Sequence, residues 1–180
     1  LVSISVMVLV TSVILARHDA FNGATLLRSQ AYDVALALRE MQLLAVSATN
    51  DSSGFRSIYG VTFDTTNPGT YVIFRDDNYN YFYDVGEEFG QQGFLDERFL
   101  IDAIRLVGSG GDAGPRTDVT VLFERPNFDA LLYKSLGSPA AAGIYAVELD
   151  VRVRGTTGNS AGEVRTIEVT RTGQVTVLDV

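Results

Sequence analysis

The opening residues, LVSISVMVLVTSVILA, are apolar except for Ser3, Ser5, Thr11 and Ser12, whose hydroxyls can bond back to the helix that carries them. At 1.5 Å per residue, Leu1 to Ala16 reaches about 24 Å as a helix, a few residues short of a hydrocarbon core of roughly 30 Å. Beyond Arg17-His18-Asp19, apolar residues recur at Leu27, Ala31, Val34, Leu38, Met41 and Ala45. Their spacing alternates between four and three, which is one stripe of an amphipathic helix and is explained most simply as core packing. Asn22-Gly23 interrupts good helix formers and marks the expected place for a bend or local unwinding.

The pattern changes at Asn50-Asp51-Ser52-Ser53-Gly54, a loop, after which β-branched and aromatic residues dominate. Strands are predicted at Ser57–Phe63, Thr70–Phe74, Phe99–Val107, Asp118–Phe123, Ile144–Val153, Val164–Thr170 and Gln174–Leu178. Val147, Leu149, Val151 and Val153 alternate with Glu148, Asp150, Arg152 and Arg154, as in a sheet with one dry and one wet face. Arg171-Thr172-Gly173-Gln174 reads as a hairpin turn with glycine where a positive φ is needed. Gly108 to Pro115 and Gly155 to Gly162 read as surface connections, since neither follows a strand and opens a helix as a phosphate loop does. The expected fold class is therefore α+β. A long N-terminal helix, 1–49, apolar in its first half and amphipathic in its second, packs on the antiparallel β-sheet of a globular head, 50–180.

Charge sharpens this picture. The chain of 180 residues has a formal net charge of −8, and since residues 17–50 carry three basic and three acidic groups, all of it lies in residues 51–180. No cluster of Lys or Arg offers a footprint for nucleic acid. The absence of Cys excludes disulfides, thiolate catalysis and cysteine zinc sites, and leaves the redox compartment open.

The sharpest chemical signal runs from Arg75 to Glu88. Counting Asp76 as position 1, oxygen-bearing side chains fall at 1 (Asp76), 3 (Asn78), 5 (Asn80), 9 (Asp84) and 12 (Glu87), and Phe82 offers its carbonyl at position 7. That is the ligand spacing of an EF-hand-type calcium loop. Asp76, Asp77, Asp84, Glu87 and Glu88 also crowd negative charge that a bound cation would offset. Tyr81 departs from the pattern, standing where a glycine normally makes the sharp turn. The plainer alternative is a solvated acidic hairpin loop. Tyr79, Tyr81, Phe82 and Tyr83 interleave with the acids, either as packing on the sheet or as a surface for a partner or glycan.

Catalytic arrangements are not found. His18, the sole histidine, sits beside the apolar helix, no Gly-x-Ser-x-Gly occurs, and Asp96-Glu97 adjoins no inferred pocket. The chain is not expected to be an enzyme.

A charge-free start running into an amphipathic helix, a loop and an antiparallel sheet that ends in a hairpin resembles the type IV pilin-like proteins. These comprise pilins, minor pilins and the pseudopilins of type II secretion. LVSISVMVLVTSVILA resembles the continuation of their Phe-Thr-Leu-Ile-Glu-Leu-like motif, which would lie just before Leu1 together with the cleavage site and the membrane-buried glutamate. The stretch from Val121-Leu122-Phe123-Glu124-Arg125-Pro126-Asn127 through Val164-Arg165-Thr166-Ile167-Glu168-Val169 to Thr172-Gly173-Gln174-Val175 is similar to minor-pseudopilin heads.

The resemblance implies a filament subunit held in the bacterial inner membrane by a single pass, with its head outside the cytoplasm. Its partners would be membrane lipid before assembly, the pilus or secretion machinery, and other pilin subunits, or copies of itself, through the residue 1–46 helix in an extracellular or periplasmic filament. It also supports calcium in the loop, held by Asp76, Asn78, Asn80, Phe82, Asp84 and Glu87. A membrane-anchored, calcium-dependent binding module that never polymerises is the alternative.

Overall fold

The computed structural model describes residues 2–47, 57–110, 112–134, 137–157 and 162–178, without the side chains of residues 14–22. The expected Asn50–Gly54 loop and the His18 side chain lie outside the described residues, as do positions 158–161 of the expected connection at Gly155 to Gly162.

The helix α1 spans Val2–Ser47 and continues through Asn22 and Gly23 rather than unwinding there. In its first part the hydroxyls of Thr11 and Ser12 donate to the carbonyls of Met7 (2.8 Å) and Leu9 (2.9 Å), so these polar atoms are satisfied within the helix. Among the described residues no helix is long and apolar enough to cross a membrane.

The expected α+β class needs correction. Among the described residues the fold is predominantly β, with two antiparallel sheets in place of one. The first contains β1 (Ile58–Asp64), β2 (Thr70–Asp76), β3 (Gly93–Phe94), β6 (Asp118–Glu124), β7 (Ala130–Lys134) and β8 (Ser138–Pro139), in the order β3-β2-β1-β6-β7-β8. The second contains β4 (Phe99–Gly108), β5 (Gly114–Arg116), β9 (Ile144–Val153), β10 (Val164–Thr170) and β11 (Val175–Leu178), in the order β11-β10-β9-β4-β5.

All seven predicted strands are present, with ends shifted by two residues at most. The strands β3, β5, β7 and β8 were not foreseen. Three of them contain Gly or Pro and lie at sheet edges, where a missing backbone donor is tolerated, and β5 starts inside the expected Gly108 to Pro115 connection. The remaining one, Ala-Leu-Leu-Tyr-Lys, has no strand signature of its own and is made a strand by pairing with β6, Leu122 opposite Leu131 and Thr120 opposite Tyr133.

The helix stripe packs as predicted, but against both sheets. Leu27, Ala31, Val34, Leu38, Met41 and Ala45 are buried in one core with Val61, Phe63, Val121 and Phe123 of the first sheet and Leu149, Val151, Ile167 and Val169 of the second. The alternation along β9 holds: Val147, Leu149 and Val151 face this core. On the opposite face Arg105 Nη1 and Nη2 donate to the two carboxylate oxygens of Asp150 (2.6 and 2.9 Å), and Thr166 donates to the same Asp150 (2.7 Å). Polar clasps fix the helix in register. Gln42 Nε2 donates to the carbonyls of Phe128 (2.6 Å) and Gly173 (3.0 Å), and Arg39 donates to the carbonyl of Val175 (2.8 Å). Gly173 has the positive φ expected of the hairpin turn, 80°, and a Cβ there would stand only 1.9 Å from the Phe128 oxygen.

Leu38 is fully buried, whereas Leu36, two residues away, is 64% exposed. Equilibrium denaturation should therefore show Leu38→Ala costing about 3 kcal/mol and Leu36→Ala close to nothing. Equal losses would mean that the helix presents a different face to the sheets.

Candidate functional site

The acidic loop leaves the end of β2 and returns to the same strand's edge. Arg75 N–H donates to the Glu87 carbonyl (2.9 Å) and Phe89 N–H to the Ile73 carbonyl (2.9 Å), so residues 76–88 form a closed excursion from the sheet. Gln92 extends the edge, its side-chain oxygen accepting from Ile73 N–H (2.9 Å) while its amide donates to the Ile73 carbonyl (3.1 Å).

Within this excursion the side chains of Asp76, Asn78, Asn80, Asp84 and Glu87 are held by hydrogen bonds to one another and to the loop backbone. Asp76 is 2% exposed, and its two oxygens accept from the backbone N–H groups of Asn80 (3.2 Å) and Tyr81 (2.8 Å). Asn78 and Asn80 aim their amide nitrogens at one oxygen of Asp84, at 2.7 and 2.6 Å. Buried Glu87 closes the loop, accepting from Asp77 N–H on one oxygen and Asp84 N–H on the other, both at 3.1 Å. Arg75 turns to Asp77 (2.6 Å).

The departure at Tyr81 is resolved by the backbone. Tyr79 and Tyr81 both have φ of 62°, so the left-handed turn that the loop pattern requires is made without glycine. Such a conformation costs a non-glycine residue on the order of 1 kcal/mol or more. Opposing that cost, the Asp76 carboxylate holds the Tyr81 N–H, and the Tyr81 ring stacks on Tyr133 with centroids 5.0 Å apart and planes 2° from parallel. Tyr83 packs edge-on to Phe74 at 5.7 Å. Alternate aromatics of the run thus cover a small second core of Ile58, Phe74 and Leu122 on the outer face of the first sheet.

Chemically, the loop carries hard oxygen donors, the composition that suits a hard cation. Among the described residues no three carboxylate or histidine side chains gather into a metal-sized cluster. The set of Asp76, Asp84 and Glu87 therefore depends on the Asn78 and Asn80 oxygens and the Phe82 carbonyl. The Asn78 and Asn80 oxygens accept from the N–H groups of Asn80 (3.0 Å) and Phe82 (2.8 Å), and both amide nitrogens face Asp84, so a cation would have to turn both amides. The donor types suit calcium, and the hydrogen-bonded arrangement would rearrange to hold it.

Compared with known protein families, curated proteins and solved structures, the chain matches none. The Asp96-Glu97 pair does not form a site either: Asp96 is held by Arg98 (2.8 Å), whose hydrogen bond pulls its carboxyl down to about 2.

Two features went unnoticed at the sequence level. One is the bond from the Tyr83 hydroxyl to Glu88, which pins the outer turn of the loop. The other is a cavity beside the loop, walled by Phe82 and Tyr83. Both join residues whose sequence spacing carries no motif.

The bond from Tyr83 to Glu88 drives the Tyr83 hydroxyl up to about 12 and lowers the Glu88 carboxyl. Folding thereby favours ionised Glu88 and neutral Tyr83. The Glu88 contribution is present above its ordinary range and fades as pH falls through the lowered value. The Tyr83 contribution is complete below its ordinary value of 10 and is lost as pH rises through about 12. In a tyrosine ring NMR titration, the signal assigned through its loss in Tyr83→Phe is expected to ionise late in the parent protein and to move back toward 10 in Glu88→Ala, and a Tyr83 signal unmoved by Glu88→Ala would rule out the bond.

Proposed function

We propose that the chain is a structural subunit of a type IV pilus or type II secretion pseudopilus. In this reading the apolar N-terminal helix holds it in the bacterial inner membrane before assembly, with the head outside the cytoplasm. The helix then packs among neighbouring subunits in the filament, and calcium in the 76–88 loop stabilises the head.

One observation carries the proposal. The same helix that forms the spine of the head's core presents apolar side chains on all sides in its first turns. Val2, Ile4, Val6, Met7, Val8, Leu9, Val10 and Val13 are 48 to 79% exposed. A helix apolar all round is stable in lipid or among other helices rather than in water. Exchange between those two surroundings has little hydrophobic cost, which suits a subunit that moves from membrane to filament.

A further feature favours a filament over a simple tether. On the half of α1 that packs into the head, Tyr32, Leu36 and Leu43 remain 48 to 64% exposed, at separations of four and seven that keep them on one outward side. A tether needs no second apolar stripe outside the membrane, whereas a neighbouring subunit would cover it.

Since the chain has no cysteine, paired substitutions give an unambiguous test. With Leu9→Cys and Leu36→Cys expressed beside a pilin assembly system, oxidation should yield a ladder of covalent oligomers. Adding Val8→Asp, at about 2.5 to 3.5 kcal/mol for a charge in the bilayer centre, should abolish the ladder and membrane retention together. Retention in the membrane with nothing larger than a dimer would establish the non-polymerising module instead.

The calcium part has its own test. Calorimetric titration of the full chain in detergent is expected to show saturable calcium heat and a raised Tm, both absent in Asp76→Ala and Glu87→Ala. No heat in the parent protein would remove the metal from the proposal and leave the filament reading intact.

A further inference from the structure

Beside the loop, on the outer face of the first sheet, lies a cavity of about 330 Å³. Its floor comes from β1, β2 and β6, and its wall from Phe82 and Tyr83. The antiparallel register sets Asp64 opposite Asp118, and in the next row Thr62 lines the floor and accepts from the buried Thr120 opposite it (3.0 Å). Like charges directly opposite one another disfavour a sheet, and here each carboxylate accepts a hydrogen bond, Asp64 from Thr66 N–H (2.7 Å) and Asp118 from the Thr117 hydroxyl (3.2 Å).

The rim is pre-formed. Asp64 accepts from Thr66 N–H (2.7 Å), Thr65 N–H donates to the Thr117 carbonyl (2.8 Å), and Thr70 N–H donates to the Asn67 carbonyl (3.2 Å). The Tyr83 wall is held by its contacts with Phe74 and Glu88, so the cavity does not depend on an ion in the neighbouring loop.

The lining selects a ligand by chemistry. Among the described residues the lining has no Lys, Arg or His, and its two carboxylates repel phosphate, sulfate or an acidic sugar. What remains is a neutral or cationic ligand rich in donors. A simple cation would use acceptors alone, yet the Thr66 hydroxyl and the Asn67 amide set donors beside the carboxylates, while the Thr62, Thr70 and Thr117 hydroxyls donate to Val119, Asn67 and Asp118. Aromatic rings stand beside this polar set, as suits a molecule with hydroxyls on its edges and an apolar C–H face. We infer that this cavity is a binding site for a neutral saccharide unit, with hydroxyls donating to Asp64 and Asp118 and the sugar face lying on the Phe82 and Tyr83 wall.

The inference stands independently of the filament and calcium readings and is tested on the full chain in detergent. Methyl hexosides, N-acetylhexosamines and short neutral oligosaccharides of each are titrated by calorimetry and by ligand-observed NMR, with spermidine as the cationic comparison. Saturable binding of at least one neutral saccharide is expected. Asp64→Asn keeps an acceptor for Thr66 N–H and Asp118→Asn keeps the side-chain shape, and each should weaken binding about tenfold or more by removing a charged acceptor. Each variant's Tm is measured alongside, so that loss of binding in a folded variant is told apart from unfolding. Thr62→Val, which removes one hydroxyl at nearly constant volume, should weaken binding more mildly. Absence of saturable binding by every neutral saccharide, binding of spermidine alone, or affinities unmoved by all three variants would overturn the assignment.

Discussion

The burial of one stripe of α1 against two sheets at once is the constraint on which the rest of the structure depends. Leu27, Ala31, Val34, Leu38, Met41 and Ala45 form a single core with the inner faces of both sheets. Alanine at two of these positions, and again at Ala35 and Ala37, keeps that side of the helix slim enough for sheet residues to approach it. Each buried leucine or methionine contributes on the order of 1.5 to 3 kcal/mol, so the stripe decides whether the head closes around the helix. Gln42 and Arg39 then fix its axial position by bonds to backbone carbonyls near the final hairpin.

Because the inner faces of the sheets are occupied in this way, chemistry is left to the outer faces. On the first sheet, Ile58, Phe74 and Leu122 make a small apolar island that the aromatic residues of the 76–88 loop cover. Gly60 makes this island possible, since a Cβ there would stand 2.7 Å from Leu122 and 2.9 Å from Phe74. The acidic side of the loop is thereby held away from the sheet, with Asp76 and Glu87 drawn inward onto backbone N–H groups. One loop with an apolar underside and an oxygen-rich ring borders a cavity on the same face. Its aromatic residues serve as anchor and wall, which explains why they interleave with acids in the sequence.

The second sheet uses its outer face differently. Arg105 joins Glu148 and Asp150 across two strands, and Arg152 joins Asp102, so charges that alternate with the core residues of β9 are spent on cross-strand pairing. Asp112 ties the two sheets' margins together. It accepts from Lys134 of the first sheet (2.6 Å), from Arg116 of the second (3.4 Å) and from Ala141 N–H (2.9 Å), and the Lys134 bond holds its carboxyl below the ordinary range. These contacts are structural, and the acidic loop and the cavity beside it lie on the first sheet.

Local periodicity by itself determined the helix, its buried stripe, seven of the strands and the spacing of oxygen-bearing side chains from Asp76 to Glu87, because each of these repeats within a few residues. The single-sheet α+β picture failed since the same alternation of apolar and polar residues serves a strand in either sheet, and only long-range pairing assigns it to one. Short edge strands such as Gly114–Arg116 and Ser138–Pro139 have no signature until a neighbour supplies their hydrogen bonds. The left-handed backbone at Tyr81 was legible as a requirement of the loop but not as something tyrosine would meet, because the stacking on Tyr133 that helps hold it spans more than fifty residues of chain. The opposition of Asp64 and Asp118 has the same origin: tertiary structure alone decides which carboxylates face each other, since register across a sheet is set by the packing of whole strands.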